Sequence, residues 1–295
     1  MGTETEDAPC RVFGILARAA PIGVLFRRGP SKWVQLIKWN TKTDSFEQGQ
    51  WFRGRIYERR CDLSPDGSML IYFASKINAR TVSDREYTYA WTAVSKPPWF
   101  TALALWPKGD CWHGGGLFDD AKTVWLNHSP AAAKPHPKHQ PKGLKITPNS
   151  QVAGEDAPVY EKRLQRDGWS LIQRGHFPFT FQDGWRTEQA EIWTKADKSG
   201  KVVLTMRLDA IDFEEYGGPY VLNFDLFRKS DGTSSTLGRA TWADWDHSGR
   251  LVIARGGMLL AGKVSGNLEV DLKKVCDFNA AVPNRKKSPD WAAKW

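Results

Sequence analysis

Short apolar segments alternate with polar turns along the chain, and helical periodicity is almost absent. The stretch CDLSPDGSMLIYFASK, residues 61–76, shows the pattern most clearly. Its turn, Ser64-Pro65-Asp66-Gly67, separates two short segments of β-strand composition. Asp-Gly pairs tolerate the positive φ that tight hairpin turns require. The pattern therefore predicts a β-hairpin here and an all-β chain.

Similar turns recur in one phase. Four of them end in a glycine: Gly67, Gly109, Gly168 and Gly249. Three of these are followed, seven positions later, by a second glycine: Gly116, Gly175 and Gly256. The phrases LIQRG and VIARG close two of these units, and LFRRG, ending at Gly29, indicates a further unit that starts near Pro21-Ile22. Five units in one phase predict a repeat architecture.

Each unit reads as a small antiparallel sheet. A short apolar second strand follows the turn, and the third strands are WVQLIKW, YTYAWTAV, TVWLNH, EIWTKA and MLLAGKV. A fourth strand, such as KVVLTMRL, is visible in several units. The first turns lie about 45, 42, 59 and 81 residues apart, and propeller blades of the WD40 type repeat every 40–45 residues or so. We expect a β-propeller of four-stranded blades.

Five blades fit the spacing best, and six are the alternative. The interval of 59 residues is lengthened by a Pro/Lys/His-rich stretch, residues 129–148. The interval of 81 contains either an excursion, HFPFTFQDGWRTEQA, with an extra hairpin near EEYGGPYVLNFDLF, or a degenerate sixth blade. A β-sandwich is the main competing architecture, but it does not explain the constant offset of seven residues.

A family resemblance supports the propeller. The segment LSPDGSMLIYFAS resembles the Pro-Asp-Gly units of WD40-like, TolB-type β-propellers, and ADWDHSGRLVIARGG is a looser version. The whole chain is similar to uncharacterised bacterial proteins that carry such units. The resemblance implies the blade fold over most of the chain, and it implies no activity.

The domain boundaries follow from composition. We expect a single propeller domain at residues 10–282, with an exposed, poorly packed loop at residues 129–148. Residues 1–9 and 283–295 are expected to be flexible or loosely packed termini.

The amino-terminal sequence, the cysteines and the net charge limit the expected compartment and the expected kinds of partner. The start MGTETEDAPC lacks a basic region followed by an apolar segment, and the four cysteines are scattered, so we expect reduced thiols in the cytoplasm and no membrane span. The 42 Lys and Arg residues against 33 Asp and Glu residues give a net charge of +9. This excess allows a polyanionic partner, although no nucleic-acid-binding motif accompanies it.

Seven of the 15 tryptophans form two groups that bear on function. Four lie on third strands, where we expect them to pack between blades: Trp39, Trp91, Trp125 and Trp193. Three lie near turns, where they offer aromatic anchors for a protein or peptide: Trp99, Trp106 and Trp112. With His113, Lys96 and Lys108 nearby, the second group is the predicted partner-binding site.

Candidate chemistry is sparse. Gly114–Gly116 allow a close backbone approach or line a narrow channel, and the alternative is that they pack against a neighbouring blade's tryptophans. His113 beside them could act as a ligand or as an acid–base group. His136 and His139 lack the companions of a metal site, and Glu214 and Glu215 lack an opposed acid. No catalytic residue, metal or cofactor is therefore predicted. The expected function is non-catalytic binding of a protein or peptide; the alternative is a carbohydrate-binding or glycosidase-like propeller.

Overall fold

Strands make up 45% of the chain and helices 9%, which confirms the all-β class. The structure is a computed structural model that describes residues 10–149, 154–182, 184–212, 219–265 and 267–295. The predictions for residues 1–9 and for Glu214 and Glu215 lie outside the described residues. Within the described part of the chain, no helix is long and apolar enough to cross a membrane.

The chain divides into two compact units. The amino-terminal unit consists of Ile15–Arg163 and Val282–Trp295, and the carboxyl-terminal unit contains Leu164–Ala281 together with the residues up to Gly14. The chain passes from one unit's range to the other within its first strand and again within its second α-helix. The single domain over residues 10–282 stays a prediction.

The first twelve strands build three sheets. Their bounds are β1 (Arg11–Leu16), β2 (Ile22–Arg28), β3 (Trp33–Asn40), β4 (Ser45–Arg53), β5 (Arg55–Ile56), β6 (Asp62–Leu63), β7 (Leu70–Ser75), β8 (Ala90–Ser95), β9 (Ala104–Pro107), β10 (Gly116–Phe118), β11 (Thr123–Leu126) and β12 (Lys145–Pro148). The strand orders are β1-β2-β3-β4, then β5-β7-β8-β9 with β6 also on β7, then β10-β11-β12. The β11–β12 pair is parallel, and the other described pairs are antiparallel.

The remaining strands build two further sheets and a separate hairpin. Their bounds are β13 (Ser170–Gln173), β14 (Phe179–Thr180), β15 (Gly184–Trp185), β16 (Glu191–Ala196), β17 (Val202–Ile211), β18 (Tyr220–Arg228), β19 (Ser234–Arg239), β20 (Trp242–Trp245), β21 (Leu251–Arg255), β22 (Met258–Gly262) and β23 (Lys273–Asp277). The strand orders are β13-β16-β17-β18-β19 and β20-β21-β22-β23, and β14 pairs only with β15.

Helices are few and short. In the described ranges they are α1 (Ala79–Ser83), α2 (Ala157–Arg166) and three 3₁₀ turns at Glu58–Arg60, Pro130–Ala132 and Asp290–Ala293. Asn78 caps α1, because its side chain accepts the N–H of Thr81 while the Thr81 hydroxyl accepts the N–H of Asn78.

Two of the four glycine turns are hairpins of the predicted kind. Gly67 has φ +74° and lies between β6 and β7, and Gly249 has φ +75° and lies between β20 and β21. The prediction is wrong for the other two: Gly168 follows α2, and Gly109 lies on the connection from β9 to β10. A left-handed glycine ends helices as readily as it turns hairpins, so glycine spacing alone does not identify equivalent turns.

The long interval between Gly168 and Gly249 holds one sheet and an excursion. The hairpin β14–β15 is inserted between β13 and β16, which pair with each other directly. Strands β18 and β19 then extend the same sheet to five strands. The excursion and extra strands account for the added length, and the described residues of this interval form no further sheet besides the hairpin.

The segment at residues 129–148 is packed on one side, in contrast to the poorly packed loop expected from its composition. His136 is buried, its backbone N–H donates to the Leu105 carbonyl at 2.7 Å, and Leu105 N–H donates to the His139 carbonyl at 3.1 Å. Leu144 and Ile146 pack on a core cluster of the amino-terminal unit. The prolines and lysines between these anchor points make the segment look like a solvated loop in sequence.

The carboxyl-terminal segment is also anchored, in contrast to the loosely packed tail predicted for residues 283–295. Ala292 is buried, and Trp295 packs on the same core cluster as Leu144. The Lys96 ammonium donates to the carbonyls of Trp291 and Lys294 at 3.3 and 2.7 Å. Residues 282–289 between these contacts and the last sheet have no helix or strand.

Candidate functional site

The predicted partner-binding tryptophans are not equally accessible. Trp106 is 0% exposed and belongs to a core cluster with Val94, Phe118 and Leu126, and Trp99 is only 9% exposed. Trp99 and Trp106 therefore do not form an exposed anchor as predicted, because β9 directs the Trp106 side chain into the core. Trp112, at 66% exposed, is the one member of the three that solvent reaches freely.

The two predicted lysines are engaged within the amino-terminal unit. Lys108 pairs with Asp110 at 2.5 Å, and Lys96 binds the carbonyls of the carboxyl-terminal segment described above. His113 Nδ1 lies 3.1 Å from the Gly154 carbonyl oxygen. The structure thus brings Lys108, Trp112 and His113 onto one loop, and Lys96 serves instead to hold the tail.

The three glycines beside His113 pack against the protein itself. A Cβ added to Gly114, which has φ +110°, would lie 2.3 Å from the Phe73 ring. One added to Gly115, which has φ +79°, would lie 2.0 Å from the Arg60 carbonyl oxygen. The close backbone approach expected of this motif is confirmed, and its partners are Phe73 and Arg60.

Arg60 is a fully buried cation at the centre of this region. Its guanidinium donates to Asp156 at 2.5 Å, to Glu155 at 3.1 Å and to the carbonyls of Cys111 and His113 at 2.6 and 3.1 Å. It also lies over the Tyr57 ring, 4.6 Å from the centroid. These donors are directed at protein acceptors, so the guanidinium fixes three chain segments together.

A second buried polar network joins His128 to the same glycines. Thr92 Oγ1 lies 2.8 Å from His128 Nε2 and accepts the N–H of Gly115 at 2.8 Å. His128 Nδ1 faces the Ala132 carbonyl at 3.2 Å. Burial lowers the pKa of His128 to about 4, because desolvation disfavours the imidazolium. At neutral pH this histidine is a neutral structural group.

The histidines of the 129–148 segment form an aromatic cluster. His136 stacks on Tyr87 with centroids 4.3 Å apart, and His139 lies 5.3 Å from His136. His136 Nε2 lies 3.2 Å from a Glu86 carboxylate oxygen, and His139 Nδ1 lies 3.1 Å from the Ala102 carbonyl oxygen. No group of three or more His, Cys, Asp or Glu side chains within the described residues could hold a metal ion.

A pocket that the sequence did not indicate lies at β4 in the amino-terminal unit. Its cavity volume is about 340 Å³, at the lower end of the range typical of ligand pockets. The lining residues are Trp33, Gln50, Trp51, Phe52, Arg53, Lys76, Arg285 and Lys286. They come from β3, β4, the end of β7 and the carboxyl-terminal segment, so residues more than 200 positions apart line one site.

The aromatic walls of this pocket, hereafter the β4 pocket, are held in place by ring contacts. Trp33 and Trp51 meet edge to face with centroids 6.4 Å apart, and Phe52 meets Trp91 edge to face at 5.9 Å. Buried Arg27 lies over the Trp51 ring at 5.1 Å. Trp33 and Phe52 keep part of their surface exposed. The walls therefore present fixed ring faces to solvent.

The cations of the β4 pocket are exposed and gathered on both sides of these rings. Arg53 lies over Trp33 at 5.9 Å, and Lys76 follows the end of β7. Lys286 joins its segment to β4, since its ammonium donates to the Gln48 carbonyl and its carbonyl accepts from Gln50, both at 3.4 Å. None of the eight lining residues is acidic.

Two features of the sequence point to this site in retrospect. The strand end QWFRGR, residues 50–55, contains two aromatic residues followed by two arginines, and the tail contains the basic stretch NRKKSP. Neither stretch is unusual by itself. Their combination depends on the tail returning to β4, which local patterns do not reveal.

An exposed aromatic hairpin is the other surface feature. Phe181 is 100% exposed at the turn between β14 and β15, and Phe179 packs edge to face against it at 5.6 Å and against Trp185 at 5.2 Å. Nearby charges are paired with each other, His176 with Glu188 at 2.8 Å among them. The hairpin presents three exposed aromatic rings, with Arg186 and Glu188 in the chain that follows.

Comparison with known proteins gave no relative: no protein family matches this chain, and no curated protein matches it.

Proposed function

We propose that this protein is a non-catalytic interaction module that binds a segment of a protein partner in the β4 pocket. The observation that carries the proposal is the composition of the pocket, in which Trp33 at the start of β3 pairs with Arg53 at the end of β4 and Phe52 also lines the cavity. Tryptophan and arginine are the residue types that dominate binding hot spots. The site keeps the aromatic and basic character expected from the sequence but uses other residues.

The proposed architecture is a β-propeller related to the WD40-like, TolB-type proteins, with five blades. Support comes from the five main sheets in chain order, each of three to five strands, and from hairpins at Gly67 and Gly249 with matching turn conformations. A small-angle scattering curve that fits an extended two-lobed particle instead of a compact disc would contradict it. The proposed location is the cytoplasm.

A carbohydrate ligand is less well supported. Sugars bind through ring stacking together with hydrogen bonds to neutral and acidic side chains, and the β4 pocket offers only Gln50 for the latter. Both ends of the Gln50 carboxamide are engaged, with Phe100 N–H at 2.9 Å and the Lys286 carbonyl at 3.4 Å. A neutral sugar could accept hydrogen bonds from the surrounding cations, but it would leave their positive charge without a counter-charge.

A peptide-display selection tests the proposal. The selected peptides are synthesised, and their dissociation constants are measured for the wild type, Trp33→Ala and Trp112→Ala. We expect Trp33→Ala to weaken binding at least about tenfold, the effect of losing an anchor. Trp112→Ala is the matched control, since Trp112 is exposed and outside the pocket.

Three outcomes count against the proposal. The selection yields no specific peptide, the selected peptides bind Trp33→Ala as well as the wild type, or a glycan array shows saturable binding that Trp33→Ala abolishes. Loss of peptide binding in Trp112→Ala but not in Trp33→Ala would indicate that the partner binds at the loop of Lys108, Trp112 and His113 instead.

A further inference from the structure

We infer that the partner segment bound in the β4 pocket is acidic, with negative charges on both sides of a flat apolar side chain. This inference rests on the proposed function and specifies its ligand. The starting point is the charge of the site: Arg53, Lys76, Arg285 and Lys286 line one cavity of about 340 Å³ without an acidic neighbour in its lining.

The four cations lack carboxylate partners in the part of the chain that the structure describes. Their described contacts are the Trp33 ring under Arg53 and the Gln48 carbonyl at Lys286. Elsewhere in this unit cations are commonly paired, as in Arg28 with Glu58 at 2.6 Å. Like charges gathered in one cavity repel one another, and a bound anion relieves that repulsion.

The cations stand on two different walls. Arg53 ends β4 and Lys76 follows β7, whereas Arg285 and Lys286 lie on residues 282–289, which have neither helix nor strand. That segment is joined to β4 by the two contacts of Lys286 at 3.4 Å. Because the cations come from two strand ends and from the carboxyl-terminal segment, a ligand with two negative charges can pair with cations of both.

The aromatic rings of the pocket add a second requirement for the ligand, which is a flat apolar group. Trp33 and Phe52 present exposed parts of their faces within the same cavity. An aromatic or proline side chain placed between two acidic residues would stack on these rings while its neighbours meet the cations. The combination describes a short acidic peptide motif, with carboxylates or phosphoryl groups as the negative groups.

A nucleic acid is the competing polyanion, and the pocket favours a peptide. The cavity has the size of a pocket for a few side chains and is not a track along which several phosphates could be spaced. Gln50 already holds one hydrogen bond at each end of its carboxamide, which leaves one N–H and one oxygen lone pair for a base edge. Sequence-independent stacking is the other mode of nucleic-acid binding, and it is tested directly below.

The experiment uses the full chain and fluorescein-labelled probes of equal length. Three ten-residue peptides carry a central Pro-Trp pair with four Glu, four Gln or four Lys residues on each side. A fourth peptide is the Glu peptide with two phosphoserines in place of two Glu residues. Oligo-dT is the nucleic-acid probe. We expect the Glu peptide to bind at least about tenfold more tightly than the Gln peptide, and the Lys peptide not to bind. The preference should weaken as salt is raised.

The double variant Arg53→Gln/Lys76→Gln assigns the preference to the pocket. It should reduce the ratio of the Gln-peptide to the Glu-peptide dissociation constant to less than about half the wild-type value. Lys142→Gln/Lys201→Gln removes the same charge from exposed positions outside the pocket and should leave the ratio unchanged. A thermal melt confirms that both variants fold.

The outcomes separate this inference from the proposed function. Equal affinity for the Glu and Gln peptides, with both lost in Trp33→Ala, overturns the inference and leaves the proposed function standing. Tighter binding of oligo-dT than of either acidic peptide overturns it in favour of a nucleic acid. Failure of every peptide, the display-selected ones included, overturns both. The Glu and phosphoserine peptides distinguish a carboxylate from a phosphoryl ligand.

Discussion

Thr92 Oγ1 lies 2.8 Å from His128 Nε2 in the interior of the amino-terminal unit, and the same oxygen accepts the Gly115 N–H at 2.8 Å. The Ala132 carbonyl 3.2 Å from His128 Nδ1 can only accept, so Nδ1 carries the proton of the neutral ring and Nε2 accepts the Thr92 hydroxyl. Burial lowers the His128 pKa to about 4, because desolvation disfavours the imidazolium. The arrangement makes folding sensitive to acid.

The first prediction is a loss of stability between pH 6.5 and pH 4. The folded-state pKa of His128, about 4, lies below the value of about 6.5 expected for an unfolded histidine. The unfolded chain therefore binds the proton first, so the stabilisation is complete above pH 6.5 and falls as the pH decreases to 4. The cost at pH 4 is about 3 kcal/mol, measurable by urea unfolding.

The control is His128→Gln, which cannot titrate and should show a shallower pH dependence over this interval. An equal slope in both proteins would contradict the prediction. If the variant does not fold, the His128 ring proton can be titrated by NMR in the wild type, where a midpoint near 6.5 would contradict it equally.

The second prediction concerns Gly115. Gly115→Ala combines a left-handed φ of +79° with a Cβ only 2.0 Å from the Arg60 carbonyl oxygen. We expect the unfolding free energy to fall by about 3 kcal/mol or more. Gly143→Ala is the matched control, since Gly143 has φ +70° and no atom near the added Cβ, and it should cost only about 1–2 kcal/mol. Equal losses of stability for the two variants in thermal melts would show that the close approach of Gly115 to the Arg60 carbonyl does not affect stability.

The third prediction separates the tryptophans that the sequence grouped together. Trp106→Ala empties a fully buried site and should cost about 3–5 kcal/mol. Trp112→Ala removes an exposed ring and should change the unfolding free energy by less than about 0.5 kcal/mol. Chemical denaturation measures both. A small loss for Trp106→Ala would mean that this ring is not part of the core.

Local sequence patterns predicted correctly the hairpins and strands that are formed by residues close together in the sequence. The hairpins at Gly67 and Gly249 and the third strands were predicted because turn composition and apolar alternation act within ten residues or so. Trp39 and Trp193 are buried on their strands as expected. Gly168 shows the limit, because a helix end and a hairpin demand the same backbone conformation of a glycine.

The binding surface could not be predicted in the same way. Trp106 and Trp112 lie six positions apart near the same polar turn, yet one is in the core and the other in solvent, because Trp106 lies on β9 and Trp112 on the loop that follows it. The β4 pocket joins Trp33, Arg53, Lys76 and Lys286. Their proximity arises from the return of the carboxyl-terminal segment to β4, and no sequence pattern encodes that distance.

The last prediction concerns the buried charge of Arg60. Its side chain is fully buried, and its two acidic partners differ in exposure: the Asp156 carboxylate at 2.5 Å is mostly buried, and the Glu155 carboxylate at 3.1 Å is mostly exposed. A buried cation that loses a buried partner keeps its desolvation cost without compensation, so Asp156→Asn should cost about 3 kcal/mol. Glu155→Gln removes a partner that water already screens and should cost less than about 1 kcal/mol. Urea unfolding at neutral pH measures both variants, and Arg60→Met should be at least as destabilising as Asp156→Asn, because it also releases the carbonyls of Cys111 and His113. Equal, small losses for the two acidic variants would show that the two carbonyls alone satisfy the guanidinium.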